Sequence, residues 1–337
     1  MTRFSARQLV LTLAAALALW GVLAAACLFA GSSGFGWPRD RYLLRVRAEP
    51  VLLASLIGAA LAVAGVAYQA ILKNPLADPY LLGVSSGASL AAYLWRLPAA
   101  GLFAGLGAIW SQQAFALAGA LAAVGVVFTL ASRRGRIEPV TLLLVGVIVN
   151  AVNGSIFLFV NAIRPELAQD GGAIAFLVGR IPTNVDGRQV SVAACVCGVL
   201  FILLLAIAPQ LNVAGLSEAE ARSLGVRIGR LRWTALVSAS LMTAVAVAVT
   251  GPIGFVGLVC PHLARRIVGH DARRLLPLSA AIGAGLLALA DTLSRTMIRA
   301  VDTWLPVGVL TGLLGGPFFL YLLYRQRNSQ AWGEAAT

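Results

Sequence analysis

Few side chains in this 337-residue chain could do chemistry, and their spacing excludes most of it. The two histidines, His262 and His270, have no cysteine or carboxylate partners at a recognised metal-ligand spacing, and neither belongs to a nucleophile–base pair. His262 follows Pro261, where capping or packing accounts for it. The four cysteines, Cys27, Cys195, Cys197 and Cys260, lie inside apolar segments and read as small buried hydrophobes. Neither zinc spacing nor a disulfide framework is present. A P-loop needs G-x-x-x-x-G-K-[ST], whose lysine reaches the phosphates. Lys73 is the only lysine, and Ala70-Ile71-Leu72 precede it. The chain therefore has no P-loop, and any ATP-driven step would need a separate ATPase subunit to carry ATP-Mg. No catalytic, metal or cofactor site is expected on this chain.

The remaining polar groups of interest are embedded in apolar sequence. Asn150, Asn153 and Asn161 share one stripe of a helix over 139–162, with Gly146 and Phe157 beside them. Amides facing lipid are costly, so the stripe faces protein or water. Two readings stay open: interhelical hydrogen bonds, or a face lining a translocation path, with Asn150, Asn153 and Gly146 as its members. Asp291 and Arg295 stand at i, i+4 and can pair, either as a functional intramembrane pair or as an anchor for the helix end.

The elements that must position these groups are membrane helices. The chain is 59% hydrophobic and 12% charged, with mean hydropathy +0.87, too apolar to cover a soluble domain of this size. The spacing of charges predicts an all-α polytopic protein, a single transmembrane domain over 1–337. Its ten crossings are 8–30, 51–72, 80–95, 110–132, 139–162, 189–209, 233–251, 253–268, 275–296 and 304–324. Two of them, 80–95 and 253–268, are short, rich in small residues and flanked by prolines. Interrupted segments of this kind survive at membrane depth only when buried in protein or lining a cavity. Residues 97–109 are an outside loop or an extension of the third helix. Arg3 and Arg7 before an apolar run ending at Cys27 have the outline of a signal peptide, but the run is long, so an uncleaved first helix is expected.

The net charge of +13 does not indicate nucleic acid, because the basic residues sit in short loops and form no contiguous face. With both termini cytoplasmic, most of them fall inside, which has the expected sign. On that inside face, within a loop over 210–232, Ser217 with Glu220 three places on and Gly225 beyond predict a short capped helix.

The segment Gln69-Ala70-Ile71-Leu72-Lys73-Asn74-Pro75-Leu76-Ala77-Asp78-Pro79, continuing Leu81-Leu82-Gly83-Val84-Ser85-Ser86-Gly87-Ala88, is distinctive. With Gly251-Pro252-Ile253-Gly254-Phe255-Val256-Gly257-Leu258-Val259-Cys260-Pro261-His262 and Leu305-Pro306-Val307-Gly308-Val309, it resembles the FecCD-type permeases. These are subunits of binding-protein-dependent ABC importers for iron-siderophores, haem and cobalamin. The resemblance runs in order along nearly the whole chain.

The resemblance implies a homodimer of ten-helix subunits in the bacterial inner membrane, two cytoplasmic ATPases and a periplasmic binding protein. Leu216, Ser217, Glu218, Ala221, Leu224, Gly225 and Val226 then resemble the coupling helix that fits a cleft in the ATPase. Arg47 and Arg295 resemble outer-face arginines that pair with acids on the binding protein. Pro50, where relatives carry a second arginine, and Trp304, where they carry glutamate, depart from that pattern. An iron chelate is the expected cargo, siderophore or haem, with cobalamin second. An ion-coupled secondary transporter is the alternative, but it calls for mid-membrane carboxylates, and Asp291 is the only candidate.

Overall fold

The computed structural model describes residues 6–31, 34–95, 97, 112–133, 136–137, 139–165, 178–183, 187–215, 218–301 and 305–334. Twelve helices occur among them. Helix α1 spans Ala6–Phe29 and α2 spans Arg41–Ile71. After a 3-10 turn at Pro79–Leu82 come α3 (Val84–Leu94), α4 (Gln112–Ala131) and α5 (Pro139–Ile163). Then follow α6 (Gly187–Ala206), α7 (Ala208–Val213), α8 (Glu218–Ser223) and α9 (Ile228–Thr250). The chain continues through α10 (Val256–Val268), α11 (Ala272–Val301) and α12 (Val307–Glu334). Two antiparallel pairs of two-residue strands join Ala30–Gly31 with Gly34–Phe35 and Ser132–Arg133 with Arg136–Ile137.

Seven of these helices are long and apolar enough to cross a membrane unaided. The short segments are α3 and α10, with 11 and 13 residues, and the apolar part of α12, Val307–Tyr321. The chain is a multi-pass membrane protein. Burial sorts the helices into shells: 83% of the apolar stretch of α2 and 78% of that of α11 are buried, against 11% for α1 and for α5. The most extensive helix pairing is α2 on α11, and α10 and α9 also pack on α2. Both short segments thus lie inside the protein, where their interrupted backbone finds partners.

Several boundaries differ from the sequence expectation. Helix α2 begins at Arg41, ten residues before the expected 51. Asp40 caps it, its Oδ1 accepting from the Leu43 amide at 2.7 Å, and Arg45 pairs with Glu49 at 2.7 Å one turn along. Charge in this stretch reads as loop, but a capped helix with an i, i+4 pair projects readily beyond the apolar core. At 31 residues α2 is about 46 Å long. The 80–95 crossing divides into the 3-10 turn and α3, because Gly83 takes the left-handed conformation (φ 80°) between them. Residues 98–111, Gly171-Gly172 and Trp304 lie outside the described residues, as do Leu216 and Ser217 of the coupling segment.

Candidate functional site

The 69–88 motif folds as a chain reversal built by its own polar side chains. Lys73 takes a positive φ of 50° after α2. Asn74 then accepts the Leu76 amide on Oδ1 at 2.9 Å, an Asx turn that carries the chain past Pro75. Asp78 accepts the Tyr80 amide at 3.0 Å and so starts the 3-10 turn, with Pro79 in its first position. Beyond Gly83, the Ser86 hydroxyl donates to the Gly83 carbonyl at 3.1 Å. Ser85 is buried, and Gly87 lies so close to α4 that a Cβ there would meet the Gly119 carbonyl oxygen at 2.6 Å.

The second motif is brought against this reversal. Gly251 (φ 73°) ends α9, and Phe255 stands at φ 68°, left-handed and non-glycine, before α10. Its amide donates to the second oxygen of Asp78 at 3.0 Å. One buried carboxylate therefore starts two helices 177 residues apart in sequence. Gln69 ties the same elements together, donating to the Gly257 carbonyl at 3.3 Å and the Ala77 carbonyl at 3.4 Å. The Arg265 guanidinium in turn donates to Gln69 Oε1 at 2.6 Å. A Cβ at Gly65 would run into the Gly257 carbonyl, and Pro79 lies against Gly257, so the backbones touch directly here. Of the motif residues, Gln69, Asn74, Pro75, Asp78, Pro79, Gly83, Ser85 and Gly87 all build the reversal. Pro261 is buried within α10, and His262 stacks edge-on to Phe318 with ring centroids 5.7 Å apart.

Arg265, within the short 253–268 segment, is the junction residue that the sequence does not single out. The available signal was its place one turn beyond Pro261 on a helix with a strongly one-sided apolar face.

The amide stripe of α5 faces this junction. Asn150 donates to the Tyr80 carbonyl at 3.2 Å and Asn153 to the Ser86 hydroxyl at 2.9 Å, while Tyr93 donates to Asn161 at 2.9 Å. Interhelical hydrogen bonds, the first of the two readings, are thus present. Asn150 and Asn153 remain half-buried, and Gly146 is buried on the same helix.

Arg47 and Arg295, which the resemblance implies pair with a binding protein, both have partners within the chain. Arg47 donates to the carbonyls of Leu28, Phe29, Gly36 and Gly34 at 2.7–3.1 Å, closing the C-terminal end of α1 and the small hairpin after it. These carbonyls have no helical partners of their own, so a five-donor fork suits them. Arg295 pairs with buried Asp291 at 2.7 Å and donates to the Ile181 carbonyl at 3.1 Å.

The segment carrying Glu218, Ala221 and Gly225 is a one-and-a-half-turn helix, α8, with a left-handed end. The Val226 amide donates to the Ala221 carbonyl at 3.0 Å and the Gly225 amide to that of Arg222 at 2.9 Å, with Gly225 left-handed at φ 76°. This is a Schellman motif. Ala221 is fully buried and Leu224 is exposed, so the helix is anchored on one side and presents an apolar side chain on the other.

The comparisons agree with this architecture. The model of the FecCD transport family matches residues 9–325. The chain is 40% identical over 295 residues to the hemin transport system permease protein HmuU of Yersinia pestis, covering 86% of this chain and 84% of that protein. It is 39% identical over 311 residues to the cobalamin import system permease protein BtuC of Halobacterium salinarum, covering 90% and 79%. Among solved structures, an ABC transporter described as of metal-chelate type, in an inward-facing conformation, superposes with TM-score 0.80 at 27% identity. The match covers 94% of this chain and 99% of the other. A chain whose two interrupted helices are locked by one carboxylate, and whose sequence matches from residue 9 to 325, belongs to the FecCD transport family of ABC-importer permeases.

Proposed function

We propose that this chain is the membrane subunit of an importer that moves an iron chelate, siderophore or haem, across the bacterial inner membrane, with cobalamin the second candidate. The observation that carries this reading is the family match along residues 9–325, joined to relatives whose names specify hemin and cobalamin import. Transport would proceed by alternating access. ATP binding would close two separate ATPase subunits, which hold ATP-Mg, and would push the segment Leu216–Val226. For ATP to drive the cycle, that push must favour one state of the permease over the other. A periplasmic binding protein would deliver the cargo, and both termini would lie in the cytoplasm.

The pathway would lie between two copies of the chain. In support, α5 carries Leu144, Ile148, Val152 and Phe159 exposed, and α12 carries Leu313, Leu314 and Leu320 exposed. Asn150, Asn153 and Gly146, proposed to line the path, lie on the side of α5 turned toward Tyr80 and Ser86. Arg47 and Arg295 would still contribute positive potential at the outer rim, steering an acidic partner while their donors hold backbone. An ion-coupled carrier is disfavoured by the state of Asp291, which is already paired with Arg295.

The test is reconstitution with the genetically adjacent ATPase and the cognate binding protein, followed by uptake of haem, ferric siderophores and cobalamin. Uptake of one ligand requiring both ATP and the binding protein is expected. Uptake without the ATPase that follows a proton gradient would overturn the reading.

A further inference from the structure

The first turn of α11 holds a side chain from another helix. Asp271 supplies an ordinary cap there, its Oδ1 accepting from the Arg273 amide at 3.1 Å. Asn212, near the end of α7, adds two bonds. Its Nδ2 donates to the same Asp271 oxygen at 2.8 Å, and its Oδ1 accepts from the Ala272 backbone amide at 2.7 Å. Asn212 and Asp271 are both half-buried. The amides of an opening turn have no acceptor within their own helix, and water ordinarily serves them. Helix α11 therefore has its cap without Asn212, and what the two added bonds do is fix α7 against it.

Helix α7 leads through a short link into α8. Helix α8 packs on α9, whereas α7 packs on α11. Helix α11 in turn makes the most extensive helix pairing, with α2, and carries the Asp291–Arg295 pair toward its other end. Packed helices joined by hydrogen bonds carry coupling between distant sites when they have two discrete arrangements. We propose that Asn212 is a positioning residue for transport: it grips Asp271 and the Ala272 amide, so that a displacement of α8 moves α11 as well as α9. This rests on the proposed role of α8 as the segment that a separate ATPase pushes.

The test uses the full chain assembled with its ATPase in liposomes, at mildly alkaline pH. ATP turnover is measured with and without the binding protein, and the ratio of the two is the readout. N212D sets a second carboxylate against Asp271 and is expected to lower that ratio about five-fold, with basal turnover and retained ATPase unchanged. N212D/D271N re-forms the contact with donor and acceptor exchanged, and should restore the ratio to within about two-fold. An unaltered ratio in N212D, a ratio that stays low in N212D/D271N, or basal turnover falling in step with the stimulated rate would each overturn the proposal. Should N212D fail to insert, N212L removes both bonds without repulsion and is read against N212D/D271N in the same way. If the unaltered chain shows no stimulation, the proposed function fails, and hydrogen exchange on the chain alone decides the grip. N212D should then raise exchange both over 208–215 and over 271–275, with N212D/D271N restoring both; a change confined to one segment refutes it.

Discussion

Asp78 illustrates how much one side chain can determine in a nearly uncharged interior. Its two oxygens each accept a backbone amide, that of Tyr80 and that of Phe255, and the carboxylate itself is buried. Asp78→Ala leaves both unpaired and should cost about 2–4 kcal/mol. Asp78→Asn keeps one acceptor and should fall between, a ranking that thermal unfolding in detergent would check. The pair of Asp291 and Arg295 makes a different prediction. Their side chains are 3% and 13% exposed, so Arg295→Ala strands a buried carboxylate and should cost about 3–5 kcal/mol. The double variant D291L/R295M should recover much of that loss in the same assay. Were Arg295 chiefly a docking charge, R295A would leave the unfolding midpoint unchanged and slow only the association of the binding protein.

At the scale of elements, the determining feature is that two helices start inside the protein. Helix α10 begins after a left-handed Phe255, and α3 after a left-handed Gly83, each with its preceding backbone held by side chains of the other motif or by its own turn. Close contact is part of the device, since Gly65 meets Gly257 with no room for a side chain. Gly65→Val should therefore cost more than about 3 kcal/mol and reduce the yield of monodisperse protein in size-exclusion chromatography. The short helix α8 is a milder case. Gly225→Ala strains the left-handed end of α8 by about 1 kcal/mol without touching the core. Combined with Glu218→Ala, it should lower substrate-stimulated ATP turnover in the assembled importer while membrane insertion stays normal; unchanged coupling would refute the assignment of this segment.

Considered whole, the described residues form a buried pair, α2 and α11, flanked by α1, α5 and α6, which turn most of their apolar surface outward. The outward surface of α5 and α12 must meet lipid or a second copy, while the amides of α5 turn toward Tyr80 and Ser86. Cysteines placed at Asn150 and Asn153 are expected to react with a membrane-impermeant thiol reagent in one transport state and to be protected in another. Protection in every state would remove α5 from the path and leave its amides a purely interhelical role.

The sequence alone determined the class of protein, the two interrupted segments and the lack of any P-loop, because long uncharged runs and missing residue types need no tertiary information. It also placed the short helix α8 and its glycine end, since the turn at Gly225 is local chemistry. The structure alone decided what the buried polar groups do. Asp78 and Phe255, or Gln69 and Arg265, lie far apart in the chain, and no period or spacing relates them; only the packing of α10 on α2 brings them together. Arg47 shows the same limit from the other side. Its position reads as an exposed charge, yet the end of α1 offers carbonyls with no partner inside the helix, and folding brings the guanidinium to them.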